Sequence, residues 1–354
     1  MALQDLPVGL TYDDVLLVPR RSTVRSRSLA NLNCQLSRNL TLDIPVVAAN
    51  MDTVCEAPMA IKLAQLGGIG IIHRFLPVHV HAQEIEKVKV ADASLLVGAA
   101  VGADDEDRKL RAKECVVAGA DVLVFDIAHG HSDHAIAAIS ELKTDFPEVE
   151  IIAGNVATAQ GAIDLVEAGA DAIKVGVGPG GVCTTRLVAG VGVPQLTAVV
   201  DVVEADIGVP VMADGGIRNA GDIAKALAAG ADTVMIGSLF AGTKESPGEV
   251  ESTTNGLMKR VRGMASYEAS VMRAERHGEE FDEEYFEHRS PEGVERRVPY
   301  RGEVSKLVNQ LMGGLKSSMS YLDADNFTTF RENASFIRVT PAGLRESYPH
   351  ANEF

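Results

Sequence analysis

The chain has 354 residues, 46% of them hydrophobic, with 33 glycines, no tryptophan and a formal net charge of −16. That length suits one barrel with extensions. With few aromatics the core must be Val, Ile, Leu and Ala, as in a parallel sheet buried on both faces. So acidic a surface repels nucleic acid and anionic membrane, so neither is expected as a partner. An anionic small substrate would need locally placed donors.

The opening residues, MALQDLPVGL, show no basic or apolar leader pattern, and no apolar run approaches a membrane span. A cytoplasmic protein with reduced thiols is expected. The cysteines are Cys34, Cys55, Cys115 and Cys183, with no CxxC pair, which weakens zinc and thioredoxin-type readings.

In chain order, eight β-rich runs stand out: Pro45–Ala49, Ile69–Ile72, Leu95–Val101, Val122–Asp126, Ile151–Gly154, Ala172–Gly176, Pro210–Ala213 and Thr233–Gly237. Stretches apolar at helical spacing lie between them, among them Ala57–Leu66, Arg108–Ala118, Ala159–Ala168 and Asp222–Ala229. Such alternation predicts βαβ units. Ala-Gly-Ala-Asp recurs at Ala118–Asp121, Ala168–Asp171 and Ala229–Asp232, each after a helix and before a strand. There glycine can end the helix in the left-handed conformation. Eight units predict a (β/α)8 TIM barrel. An open doubly wound sheet is the alternative, but no G-x-G-x-x-G follows the first strand.

From about Arg262 to Arg301 the chain is crowded with charge and poor in aliphatics, and is expected to lie outside the core. It reads either as a solvated loop or as a mobile flap over the barrel mouth. Val304–Leu315 resumes a helical period, so the flap belongs to the barrel. The tail after Thr340 is polar and is expected to wrap the barrel or a neighbour. One catalytic unit spanning residues 1–354 is expected.

A barrel's active site lies in the loops at the C-terminal ends of its strands. The densest such loop is Gly176-Val-Gly-Pro-Gly-Gly-Val-Cys183-Thr-Thr185. Its glycines let backbone N–H groups face an anion. Cys183 there is expected at the barrel mouth, with backbone dipoles or a cation favouring its thiolate, and so reads as a nucleophile. The other three cysteines read as buried structural thiols. Asp214-Gly-Gly216 and Gly237-Ser238 end the seventh and eighth strands, where barrels commonly hold phosphate.

KVGVGPGGVCTTR, GVGVPQLTAV, TYDDVLLVPRRST, ADGGIRNAGDIAKALAAGAD, GTKESPGE and RGMAS together resemble the signatures of the IMP dehydrogenase/GMP reductase family. The resemblance runs from Leu10 to about His350. It implies a homotetrameric barrel, a purine nucleotide substrate, a nicotinamide cofactor and a thioether from cysteine to purine C2. Carried over by position, Cys183 resembles the nucleophile, Thr185 the threonine that handles leaving group or water, and Glu292 the acid near the purine. Asp214, Gly216, Gly237, Ser238 and the Gly181 amide resemble ribose and phosphate contacts. Met51, Gly263 and Met264 resemble the base pocket. Asp126, Ala128, Asn155, Gly176 and Gly178 resemble the cofactor side. The carbonyls of Gly178, Gly180 and Cys183 resemble a monovalent-cation loop for K+, completed by a neighbouring subunit's Glu346 and Ser347.

Four features separate the two activities of the family. Glu84–Val90 runs almost directly into Leu95, leaving no room for the CBS modules usual in dehydrogenases. Asn50 stands where dehydrogenases carry a small residue or proline. Glu284-Tyr285-Phe286 replaces an Arg-Tyr pair whose arginine activates water. Ile127 stands where dehydrogenases favour a hydroxyl. These favour NADPH-dependent reductive deamination of GMP to IMP. The Asp126-Ile-Ala-His-Gly-His131 motif, the Pro-Glu-Gly flap and the Glu346-Ser347 tail resemble bacterial dehydrogenases, so NAD-dependent oxidation of IMP is the alternative. Gly181 and Val261 depart from a phosphate-contacting serine and tyrosine. Together with Glu284 they motivate a third reading, a catalytically degenerate nucleotide-binding homologue.

Overall fold

The computed structural model describes residues 6–281 and 290–349. Eight parallel strands close into a barrel: β1 (Val46–Ala48), β2 (Ile69–Ile72), β3 (Val97–Val101), β4 (Val122–Asp126), β5 (Glu150–Val156), β6 (Ala172–Val175), β7 (Val211–Asp214) and β8 (Thr233–Ile236). Each expected strand is present, its ends shifted by up to two residues. Nearly every strand residue is buried, as expected of a sheet covered by helices on one face and filled by side chains on the other.

Around the barrel run α1 (Ala57–Gln65), α2 (Val78–Ala91), α3 (Asp105–Val117), α4 (Asp133–Asp145), α5 (Ala159–Glu167), α6 (Gln195–Glu204), α7 (Ala220–Ala228) and α8 (Val304–Tyr321). Helix α8 packs on α7 and α1 and completes the ring. Outside it, Val15–Leu17 pairs antiparallel with Phe336–Arg338, so the tail wraps the chain's own start.

The Ala-Gly-Ala-Asp repeat does two jobs. Gly119, Gly169 and Gly230 take φ of 101°, 109° and 108°, ending α3, α5 and α7 in the left-handed region. The aspartate then reaches back to the preceding strand. Val97 N–H donates to Asp121 (2.8 Å), Ile151 N–H to Asp171 (2.9 Å) and Val211 N–H to Asp232 (2.8 Å). Lys89, Lys143 and Arg331 neutralise these carboxylates in turn.

The charged segment after β8 is neither an irregular loop nor wholly outside the core. β9 (Glu251–Thr253), β10 (Gly256–Arg262) and β11 (Glu295–Pro299) form an antiparallel sheet, and a helix spans Tyr267–His277. The charges pair across strands: Arg260 with Glu251 and Glu295, and Arg297 with Glu251. Val261 is buried in the core, which removes it from any phosphate-contacting role. Glu284-Tyr285-Phe286 lies outside the described residues.

Candidate active site

At the C-terminal ends of the strands a cavity of ≈ 420 Å³ opens between the β6 loop, the ends of β4, β5 and β7, and the segments 263–265 and 292. It gathers Met51, Asp126, Ala128, Asn155, Gly176, Gly178, Gly180, Cys183, Thr185, Asp214, Gly263, Met264 and Glu292 from the residues singled out by sequence.

The β6 loop is bent by glycine. At Gly176 (φ 154°) a Cβ would lie 2.1 Å from the Asp214 carbonyl oxygen, so only glycine fits. The loop ends on a short helix, Thr185–Val188, which sets Thr185 Oγ1 3.2 Å from Cys183 Sγ. Backbone bonds tie the loop to the segment carrying Glu292. Cys183 bridges Gly293, Thr184 N–H donates to the Glu292 carbonyl (3.0 Å), and Val294 N–H donates to the Val182 carbonyl (3.0 Å). Glu292 N–H donates in turn to the Ala265 carbonyl (3.1 Å).

The remaining thiols differ. Cys55 and Cys115 are buried, and Cys34 is only half-buried, against expectation. Burial pushes the thiols of Cys34 and Cys115 up to about 12, so none of these offers a thiolate near neutrality.

Gly181, Gly216, Gly237 and Ser238 sit beside the cavity. A Cβ on Gly181 would lie 3.3 Å from Ser238 Oγ, so the β6 and β8 loops meet there. A Cβ on Gly237 would lie 3.0 Å from Met51 Sδ. Behind Met51 and Met264, Asp52 forms a buried ion pair with Arg262 (2.6 Å). Glu346 and Ser347 are exposed at the end of the tail helix and line no part of the cavity.

Two site residues went unnoticed in the sequence. Lys174, the polar residue in the middle of apolar β6, is buried, and its ammonium reaches Asp126 (2.6 Å), Asp214 (2.8 Å) and the Asn155 side-chain oxygen. Burial opposes its charge, but the two carboxylates outweigh that and raise its pKa. Burial also pushes the Asp126 carboxyl up, yet Lys174, Arg74 and the Asn50 amide (2.9 Å) hold it below its usual range. A bulge in β5 lies between Gly154 and Val156, and Asn155 within it donates to Asp214 (2.9 Å) and to the Gly176 carbonyl (2.7 Å). The second residue, Arg74, lines the cavity just beyond β2. A cation in the middle of an apolar strand and another just past a strand end were the available signals.

A thiol with a hydroxyl and a carboxylic acid beside it, in one cavity with an Asp–Lys–Asp network built on the buried Lys174, defines a barrel enzyme site suited to covalent catalysis on a polar substrate. A family profile described as IMP dehydrogenase / GMP reductase domain matches residues 9–350, and the chain belongs to that family. It is 38% identical to a GMP reductase of Leishmania donovani, over 99% of this chain and 98% of the relative. It is 42% identical to an inosine-5′-monophosphate dehydrogenase of Borreliella burgdorferi, over 97% and 96%. Among solved structures it resembles a cysteine-to-alanine variant of Trypanosoma brucei GMP reductase in complex with guanosine 5′-monophosphate, with TM-score 0.93, 36% identity and 99% of both chains covered. The Leishmania alignment runs over 484 positions, so that relative carries a long segment with no counterpart here. Among the described residues no helix is long and apolar enough to cross a membrane.

Proposed function

We propose that this chain is a GMP reductase, converting GMP to IMP and ammonia with NADPH. The observation that carries the reading is the stitched unit of Cys183, Thr185 and Glu292 at the mouth of the cavity. The Leishmania and Trypanosoma relatives support the substrate. So does Asn50, whose amide donates to Asp126 at the cavity (2.9 Å).

Cys183 thiolate attacks purine C2. Glu292 gives a proton, through the Thr185 hydroxyl, to the 2-amino group, which leaves as ammonia. A thioether between Sγ and C2 remains. NADPH, when bound, supplies the hydride that C2 accepts. The C–S bond then breaks, the electron pair returns to sulfur, and IMP is released. Asp214, neutralised in part by Lys174, is placed to accept hydrogen bonds from ribose hydroxyls. The amides of Gly181, Gly216 and Gly237, with the Ser238 hydroxyl, take the phosphate without needing a basic side chain. Ala128, Asn155, Gly176 and Gly178 border the space for the cofactor. That space fits an anionic dinucleotide, because a cation, Arg74, lines it. K+ would sit on the carbonyls of Gly178, Gly180 and Cys183 with Glu346 and Ser347 of the partner subunit, in a homotetramer. The protein would act in the cytoplasm as one catalytic unit.

The test is absorbance of reduced nicotinamide in potassium buffer. Loss of absorbance with GMP and NADPH, abolished in Cys183→Ala, is expected. The Borreliella relative keeps the dehydrogenase as the second reading. A gain of absorbance with IMP and NAD would replace the proposal with it, and silence in both cuvettes would favour a binding protein.

A further inference from the structure

Two walls of the cavity are clamped around one guanidinium. Arg262 Nε (2.8 Å) and Nη2 (2.6 Å) both donate to Asp52 Oδ2, with the two side chains 10% and 0% exposed. Arg262 grips two further pieces. Its backbone N–H donates to Thr53 Oγ1 (3.3 Å), and its Nη1 donates to Glu295 Oε2 (3.3 Å). Glu295 is its register partner across β10 and β11, and the next N–H, of Gly263, donates to the Val294 carbonyl (3.2 Å). Asp52 reaches across a second time, its own N–H donating to Met264 Sδ (3.4 Å). Met51, beside Asp52, and Gly263 and Met264, just past Arg262, all line the cavity, as does Glu292, shortly before Glu295.

Stability does not account for this pair. A buried ion pair gains little over well-packed apolar side chains, because both charges must leave water. Here the gain is smaller still, since Asp52 Oδ1 is buried with no donor. The best-attested use of such a pair is to select one arrangement among several. A guanidinium suits that use because its donors point in fixed directions.

We infer that Asp52 and Arg262 are positioning residues, which set the separation of Met51 and Met264 and so the seat of the substrate's ring against Cys183. The inference rests on the nucleotide reading above and adds the residues that align the ring without touching it. The ribose and phosphate contacts of that reading, Asp214, Gly216, Gly237 and Ser238, lie on other loops. Loss of the clamp is therefore expected to spare affinity and to lower turnover.

The test is the double substitution Asp52→Leu/Arg262→Met in the full chain. It leaves no stranded charge, because Glu295 keeps Arg260 (2.9 Å). Its urea midpoint is expected within about 0.5 M of wild type, whereas Arg262→Met alone strands a buried carboxylate and is expected to lose about 1 M. In the double variant calorimetric affinity for GMP should stay within about threefold of wild type, while kcat falls by about 10- to 100-fold, as for a displaced reacting centre. Alkylation of Cys183 by iodoacetamide, read by mass spectrometry, needs no turnover: GMP should shield the thiol in wild type and shield it less in the double variant. Arg262→Lys, which keeps the charge without the fork, takes the place of the double variant if that does not fold, with the same expectations for kcat and shielding. Wild-type kcat or wild-type shielding overturns the inference, and so does a loss of affinity as large as the loss of kcat. If wild type turns over IMP and not GMP, the reductase reading fails and the clamp is judged on IMP. If it binds neither nucleotide, both fall.

Discussion

Cys183 and Gly293 face each other in an antiparallel bridge, flanked by the Thr184–Glu292 and Val294–Val182 backbone bonds. The loop that carries the thiol and the segment that carries Glu292 therefore form one small patch of sheet. The spacing of Cys183 and Glu292 is set by backbone pairing, which is more precise than the packing of two independent loops.

That pairing predicts a graded response. Glu292→Gln should lower kcat by about 10²- to 10⁴-fold, the usual worth of a positioned general acid, with a much smaller change in KM for GMP. Gly293→Ala leaves Glu292 in place but crowds Ser266 N at 3.1 Å and Gly263 Cα at 3.2 Å. The small shift it forces should lower kcat by up to about 10²-fold. Steady-state kinetics of both variants check this, and a Gly293→Ala enzyme with wild-type kcat would refute the positional role of the bridge.

Lys174 is the counter-charge for Asp126 and Asp214. Lys174→Met leaves two half-buried carboxylates without it and should cost about 2–4 kcal/mol in denaturant unfolding at neutral pH, somewhat less than breaking a fully buried pair. The sign of its pH dependence follows from Asp126. A carboxyl held below its unfolded value adds stability above that value and loses it as pH falls through the lowered one. The variant lacks this contribution, so the gap between wild type and Lys174→Met should narrow on acidification. A gap that stays constant as pH falls from about 5 to about 2, across the ordinary carboxyl value, would remove Lys174 as the source of the shift.

Much of this was legible in the sequence because barrel architecture writes itself in a periodic hand. The β-rich runs, the glycine loop at Cys183 and the repeated Ala-Gly-Ala-Asp each depend on local rules. What that aspartate does was not legible, since its bond to Val97, Ile151 or Val211 joins residues over twenty positions apart. Arg262 was misjudged as outside the core because local charge density hid the end of a strand whose arginine is neutralised by the distant Asp52. Arg74 looked like any loop arginine, and only the fold brings it to the cavity, where its charge acts on Asp126.

His81 should make the barrel acid-sensitive. It is buried, its Nε2 bonded to the Ile72 carbonyl (3.1 Å) and its Nδ1 facing Arg111 (3.2 Å). Burial, then the Arg111 and His73 charges, hold its pKa well below the ordinary 6.5. The unfolded chain binds a proton there below that pH and the folded chain does not, so stability is full above about 6.5 and falls as pH drops. The slope from this one group approaches about 1.4 kcal/mol per pH unit. His81→Gln keeps a donor for Ile72 and should flatten the change in urea midpoint between pH 7 and pH 5. Equal slopes in the two proteins would show that His81 is not the sensor.

Under the proposed function Gly181 and Ser238 serve the same phosphate, and their geometry makes that sharing testable. A side chain at 181 would point at Ser238 Oγ, 3.3 Å from the Cβ position, so the Ser238 hydroxyl already occupies the neighbourhood that a residue-181 hydroxyl would serve. Gly181→Ser therefore adds a second donor at modest crowding, relieved by rotation of the Ser238 side chain. The expected result is KM for GMP lowered by about tenfold, the low end of one hydrogen bond to a charged group. Ser238→Ala in the natural background should raise it by a similar factor. In the Gly181→Ser background the Ser238→Ala loss should be smaller, because the new hydroxyl takes over. Full additivity of the two substitutions would mean that the two positions do not share one phosphate.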